Sequence, residues 1–179
     1  MVEFQEFNKI YRLRREWIIT EKLDGANVQI YIGDDFKELR TGSRTKWITP
    51  EDDYKGFAKW VQAKRDELIT GLGPGTHYGE WWGQGIARGY ELKEKRFSLF
   101  NVARWTDDKR PSCCHVVPVL SRGLDVSLLA YSAIEKLRST GSIAAPGFMN
   151  PEGIIAFHTP SQYLFKMTLK NDESPKGTL

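Results

Sequence analysis

The chain is poor in cysteine and histidine. Of its 179 residues two are cysteine and three are histidine. Cys113 and Cys114 are neighbours in the sequence, so they lay down no disulfide framework. With His115 they superficially suggest a metal site, but three consecutive residues do not easily wrap a tetrahedral ion and no second pair exists. No apolar run approaches the roughly 20 residues that span a bilayer. The opening stretch, MVEFQEFNKIYRLRREW, lacks the continuous apolar core of a signal peptide. A cytoplasmic protein without a membrane partner is therefore expected. Charge of one sign is also scarce: the net charge of +3 permits a polyanionic partner but is far from that of a histone-like binder. Repeats and low-complexity tracts are absent. What remains is an ordinary globular composition, 40% hydrophobic and 27% charged, long enough to bury one full core. A single domain over 1–179 is expected, acting as a monomer.

Periodicity places the elements. Glu16 to Thr20 is a short apolar run that reads as a buried strand. Asn27 to Ile32 alternates, with Val28, Ile30 and Ile32 on one face, and Lys37 to Thr41 is a candidate hairpin partner across Gly33-Asp34-Asp35. Thr49 followed by Pro50, Glu51 and Asp52 predicts a helix start. Phe57, Trp60, Val61, Lys64 and Leu68 then line one side of that helix, and Gly71 and Gly73 end it. Thr76–Trp82 and Arg96–Val102 read as strands. Asp125 caps a second helix with Leu128, Leu129, Ile134 and Leu137 facing inward, ending at Gly141. Glu152–His158 and Tyr163–Leu169 form a closing strand pair around Thr159-Pro160. Strands outnumber helices and often follow one another, which favours an α+β fold of largely antiparallel sheets flanked by helices.

The segment Thr20-Glu21-Lys22-Leu23-Asp24-Gly25-Ala26-Asn27 carries the first chemical signal. A lysine after a buried strand is held rigidly and partly desolvated, and desolvation or nearby cations favour the neutral, nucleophilic amine. Gly25 allows a tight turn beside a ligand. Alone, this is equally a lysine before an ordinary Asp-Gly hairpin. Five further segments follow in order: Ser43-Arg44-Thr45; Gly79-Glu80-Trp81-Trp82-Gly83; Phe97 to Val102; Pro151-Glu152-Gly153-Ile154-Ile155-Ala156-Phe157; and Leu164-Phe165-Lys166-Met167-Thr168-Leu169-Lys170. From Lys22 to Lys170 the sequence resembles the covalent nucleotidyltransferase superfamily of DNA ligases, RNA ligases and mRNA capping enzymes. Its Glu-Lys-x-x-Gly-Ala-Asn pattern is most similar to RNA ligases of the phage T4 RNA ligase 2 type, and its Gly-Glu-Trp-Trp-Gly run to members found in phage and bacterial genomes.

The resemblance implies a nucleotidyltransferase (ATP-grasp-like) catalytic domain that uses ATP with Mg²⁺ or Mn²⁺. Its partner would be RNA, or a nicked duplex nucleic acid, with a 5′-phosphate end. It implies that Lys22 takes the AMP, that Glu152 supports the metal and that Lys166 contacts phosphate. Glu80 matches the residue that binds the ribose hydroxyls, Phe100 the aromatic that stacks on adenine, and Asn27 a side chain near the hydrated metal. Arg44 matches an arginine at the nucleotide or the 5′-phosphate, with Arg40 an alternative for that role. Glu21 and Lys170 complete the nucleotide contacts. Phe100 has a plain core role as its alternative, and Trp81 and Trp82 read as packing. For nucleic acid the candidate cations are Arg12, Arg14 and Arg15, and Arg88, Lys93, Lys95 and Arg96, of which Arg88, Lys93 and Lys95 are preferred.

The sequence departs from the family pattern twice. Thr168 stands where the last motif offers a second lysine, and Lys170 would share a strand face with Lys166 if the strand continued. The chain also stops nine residues after Lys170, which suggests a bare catalytic domain or a fragment, without an OB-fold or a helical second domain. A DNA ligase and a non-catalytic nucleotide or nucleic-acid binder are the competing readings.

Overall fold

The computed structural model describes residues 2–170 and 172–173. Two antiparallel sheets and three helices form an α+β architecture, as the strand-rich pattern implied. The strands are β1 (Trp17–Lys22), β2 (Ala26–Ile32), β3 (Leu39–Ser43), β4 (Trp47–Ile48), β5 (Gly75–Gly83), β6 (Lys95–Leu99), β7 (His115–Val116), β8 (Val119–Gly123), β9 (Gly153–His158) and β10 (Tyr163–Thr168). One sheet has the order β10-β9-β1-β8 and the other β4-β3-β2-β5-β6-β7. Among the described residues only the short β6–β7 pairing is parallel.

The six-stranded sheet buries one face. Val28, Ile30 and Ile32 alternate inward and meet Trp81, Phe97 and Leu99, with Phe57, Val61, Leu68 and Leu72 from two helices closing the core. Those helices are α1 (Phe57–Ala63) and α2 (Arg65–Leu72). The expected single helix from Thr49 is thus shorter and broken. The Thr49 hydroxyl accepts the Asp52 N–H in a local turn, and the left-handed Lys55 and Gly56 delay the helix to Phe57. The Asp53 carboxylate, not Thr49, takes the free N–H of Ala58, meeting the need of a helix start for an acceptor. Lys64 interrupts the run and stays exposed.

The four-stranded sheet packs one face on α3 (Val126–Thr140). Asp125 caps this helix through the Leu128 N–H at 3.1 Å, and Gly141 ends it at φ 77°. Ala130, Ala133, Ile134 and Leu137 meet Trp17, Ile19, Ile154 and Ala156 in the second core. Leu128, expected inside, points outward, because the small Ala130 and Ala133 set the contact face instead. A third cluster, built from Leu23, Trp82, Tyr90, Val117, Ala145 and Phe148, joins the two sheets. The chain crosses from one sheet to the other in three residues, Leu23-Asp24-Gly25, between the end of β1 and the start of β2. Among the described residues no helix is long and apolar enough to cross a membrane.

Candidate active site

Lys22 is the last residue of β1, where the chain leaves one sheet for the other. The antiparallel register sets Lys22 opposite Gly153 and Gly153 opposite Thr168, so all three lie on one face. Two residues along, Thr20, Ile155 and Lys166 make the next row of that face. Lys166 is therefore two strands from Lys22 and on its side of the sheet. Gly153 keeps β10 close: a Cβ there would lie 2.2 Å from the Met167 carbonyl oxygen, at φ 154°. That contact explains a glycine immediately after Glu152.

Glu152 is 4% exposed, and its carboxylate accepts from Lys22 Nζ at 2.7 Å. The neighbour paired with the amine is thus a carboxylate, where the sequence suggested a cation. From the other sheet come Asn27 and Glu80, a cross-strand pair on β2 and β5. Asn27 Nδ2 donates to Glu80 Oε2 at 2.8 Å. Burial pushes the Glu80 carboxyl up to about 7 against the pull of Lys22, the Gly25 N–H and Asn27, while the Glu152 charge adds to the rise. Gly25 is needed for close approach: its Cβ would sit 2.5 Å from the Trp81 carbonyl oxygen. Lys22, Glu152, Glu80 and Asn27 thereby form one electrostatic cluster across the junction.

Glu21 points the other way. Strand alternation turns its carboxylate off the Lys22 face, where it accepts from the Ser142 hydroxyl at 2.5 Å and from the N–H groups of Ile143 and Ala144 at 2.8 and 2.9 Å. It fastens the loop after α3, so any nucleotide contact at Glu21 would come from its backbone. Burial raises its carboxyl pKa despite these three donors.

Phe100 follows β6, is 38% exposed, and donates its N–H to the Tyr78 carbonyl. It is not core. Ser43 pairs with Val28 and Arg40 with Tyr31; Arg44 therefore lies toward Asn27, while Arg40 lies toward the far end of β2. Arg40 is moreover ion-paired with Glu38. Lys170 does not continue the strand. β10 ends at Thr168, whose N–H and hydroxyl engage Asp172, and Lys170 Nζ reaches Asn150 Oδ1 at 3.1 Å. Trp81 and Trp82 are both buried; Trp82 donates to Ser98 and lies in the cluster between the sheets.

Of the nucleic-acid candidates, Arg88 bonds Asp24 Oδ2 at 2.9 Å and the Asn150 carbonyl. Lys95 bonds the Lys55 carbonyl, and Arg96 bonds Glu94 and the Ala144 carbonyl. Lys93, Arg12, Arg14 and Arg15 are exposed. Sequence reasoning missed Tyr90, whose hydroxyl accepts the Asp24 N–H at 2.8 Å. It also missed Asn150, which joins Arg88 to Lys170. No local motif marks either residue. Tyr90 is held by ring contacts with Trp82 and Phe148 as well as by the Asp24 N–H.

A family model described as RNA ligase matches residues 15–167. Solved structures of a Naegleria gruberi RNA ligase share the fold. A form with PPi gives a TM-score of 0.59 at 20% identity over 87% of this chain and 50% of that one. A mutant with ATP and Mn gives 0.60 at 18% identity over 88% and 51%. The chain thus spans about half the length of these structures. No curated protein matches it.

Proposed function

The chain belongs to the RNA ligase family, and on that premise we propose that it seals RNA ends with ATP through an adenylate carried on Lys22. The observation that supports this most is the cluster of Lys22, Glu152, Glu80 and Asn27, drawn from three strands of two sheets and from the residue that precedes β9. In the first step the Lys22 amine attacks the α-phosphorus of ATP. A P–N bond forms, the bond from the α-phosphorus to the bridging oxygen breaks, and pyrophosphate leaves. The amine must shed a proton, and the Glu152 carboxylate at 2.7 Å is placed to take it. The AMP then passes to a 5′-phosphate, and a 3′-hydroxyl displaces it, forming the phosphodiester.

Glu80 is suited to ribose hydroxyls: a buried carboxyl with its pKa raised to about 7 accepts when ionised and donates when protonated. Phe100 offers an exposed ring for adenine, and Lys166, on the Lys22 face, a charge for phosphate. Arg44, on the Asn27 side of β3, is the better placed of the two arginines. Glu152 with Asn27 gives the hard oxygen donors that Mg²⁺ or Mn²⁺ prefer, and the Naegleria ligase was solved with ATP and Mn. A bound divalent ion would supply charge neutralisation at the phosphates. RNA is the expected substrate, with Lys93 and the N-terminal arginines as exposed cations for its backbone.

Incubation with α-labelled ATP, then a denaturing gel, tests the first step: label should remain on the protein, disappear with EDTA and return with Mg²⁺. Sealing of a nicked duplex with RNA at the 3′-hydroxyl side, compared with its DNA equivalent, tests the substrate. Label from GTP alone, or none, would reject the proposal.

A further inference from the structure

The face of the six-stranded sheet that carries Asn27 and Glu80 continues away from the reactive lysine, and there it is aromatic and uncovered. Two residues from Asn27 and Glu80 lie Gln29 and Tyr78, opposite each other in the register. Gln29 also pairs with Gly42, and Gly42 with Trp47. Gln29, Tyr78 and Trp47 therefore form one row across the sheet, and Phe100 stands beside Tyr78 through its N–H bond to the Tyr78 carbonyl. Tyr78 is 58% exposed and Trp47 49%. Gly42 permits this flat arrangement, because the Gln29 side chain lies directly over it. Tyr31 meets Trp47 edge-on at 6.5 Å, and the Arg40 guanidinium stands 5.9 Å over the Trp47 ring.

We propose that this row is a stacking track for unpaired RNA nucleotides next to the joint. The inference rests on the RNA-sealing reading and extends it beyond the nucleotide pocket. Three observations select the occupant. The row is continuous with the Asn27–Glu80 pair, so it lies within reach of a strand whose end is at Lys22. Its span from Trp47 to Tyr78, three strand spacings or about 14 Å, suits several consecutive bases. Its chemistry is that of exposed rings, an amide and a guanidinium already stacked on a ring, which take up bases without regard to sequence.

The test measures binding of a fluorescein-labelled eight-nucleotide single-stranded RNA to the full chain and to Trp47→Ala, Tyr78→Ala and the double variant. Labelling by ATP is followed in the same proteins. Each single change should weaken binding by about tenfold and leave ATP labelling unchanged. Trp47→Phe and Tyr78→Phe should restore binding. A strand of equal length and charge with abasic sites should bind the wild type as weakly as the intact strand binds the double variant. Equal binding by the alanine variants would overturn the track, and so would equal binding of the abasic strand, which would mean grip by charge alone. A wild-type dimer that Trp47→Ala dissociates would overturn it too, by assigning the face to a second copy. Failure of the wild type to take label from ATP while stacking persists would reject the ligase reading and leave the track standing.

Discussion

On the four-stranded sheet the groups around Lys22 are charged and held in pairs; on the six-stranded sheet, beyond Glu80, they are aromatic and bare. Lys22 bonds Glu152 at 2.7 Å, and next to it Arg88 bonds Asp24 at 2.9 Å. Trp47 and Tyr78 stand about half exposed. The contrast fits the two roles proposed for these regions. Phosphoryl transfer moves charge, so its groups need fixed positions and compensated desolvation. Holding a strand needs surface that many bases can share. Within β1 the same division runs between neighbours: Lys22 faces Glu152, and Glu21 fastens the loop after α3.

The sharpest way to break the comparison is to remove the amine. Lys22→Ala should abolish covalent labelling by ATP, and Lys22→Arg should not rescue it, because guanidinium stays protonated. Circular dichroism should show the fold retained, and label on the Lys22→Ala protein would place the nucleophile elsewhere. Glu21→Ala probes the opposite face. Stripping a buried acceptor from one hydroxyl and two N–H groups should cost roughly 3–5 kcal/mol in urea unfolding. A cost under 1 kcal/mol would deny Glu21 its fastening role.

Glu152→Ala should slow adenylation by at least roughly 100-fold, if the carboxylate serves the amine and the metal. Single-turnover labelling measures this, and a near-normal rate would detach Glu152 from the chemistry. Glu80→Gln separates the two sheets by pH. A carboxyl whose pKa is raised to about 7 in the fold binds its proton more tightly folded than unfolded. Its ionisation therefore erodes stability as pH climbs from about 4.5 to 7, with the full penalty above 7. The glutamine variant should match the wild type near pH 4 and exceed it by about 3 kcal/mol at pH 8. Thermal unfolding at both values reads the difference, and a constant gap would contradict the assignment. The smallest effect belongs to Arg88→Ala. Its pair with Asp24 is partly exposed, so stability should fall by about 0.5–1 kcal/mol and ATP labelling should slow less than in Glu152→Ala. A loss as large as that of Glu152→Ala would move Arg88 into the reaction itself.

Much of the fold was legible wherever the signal was local. The alternation at Val28, Ile30 and Ile32, the Asp125 cap and the Gly141 stop required only neighbours within a turn or a strand. Competing local signals were harder to resolve. Thr49-Pro50 resembles a helix start, but Asp53 and the left-handed Lys55-Gly56 placed it at Phe57. β8 was missed because its half-exposed residues show no strong alternation; its strand character comes from pairing with β1.

By itself the sequence determined the order of the motifs and the strand-rich class, and it singled out the segment around Lys22, since residue type and spacing carry those signals. Only the tertiary structure decided what each charged group faces. Lys22 and Glu152 are 130 positions apart and meet because β1 and β9 are in register. Glu21 turns to the loop at Ser142, Lys170 leaves the sheet for Asn150, and Trp47 joins the row of Tyr78 across three intervening pairings. The physical reason is the two-residue period of a strand: a shift of one residue in register sends every side chain to the other face. That register is set by partners distant in the sequence.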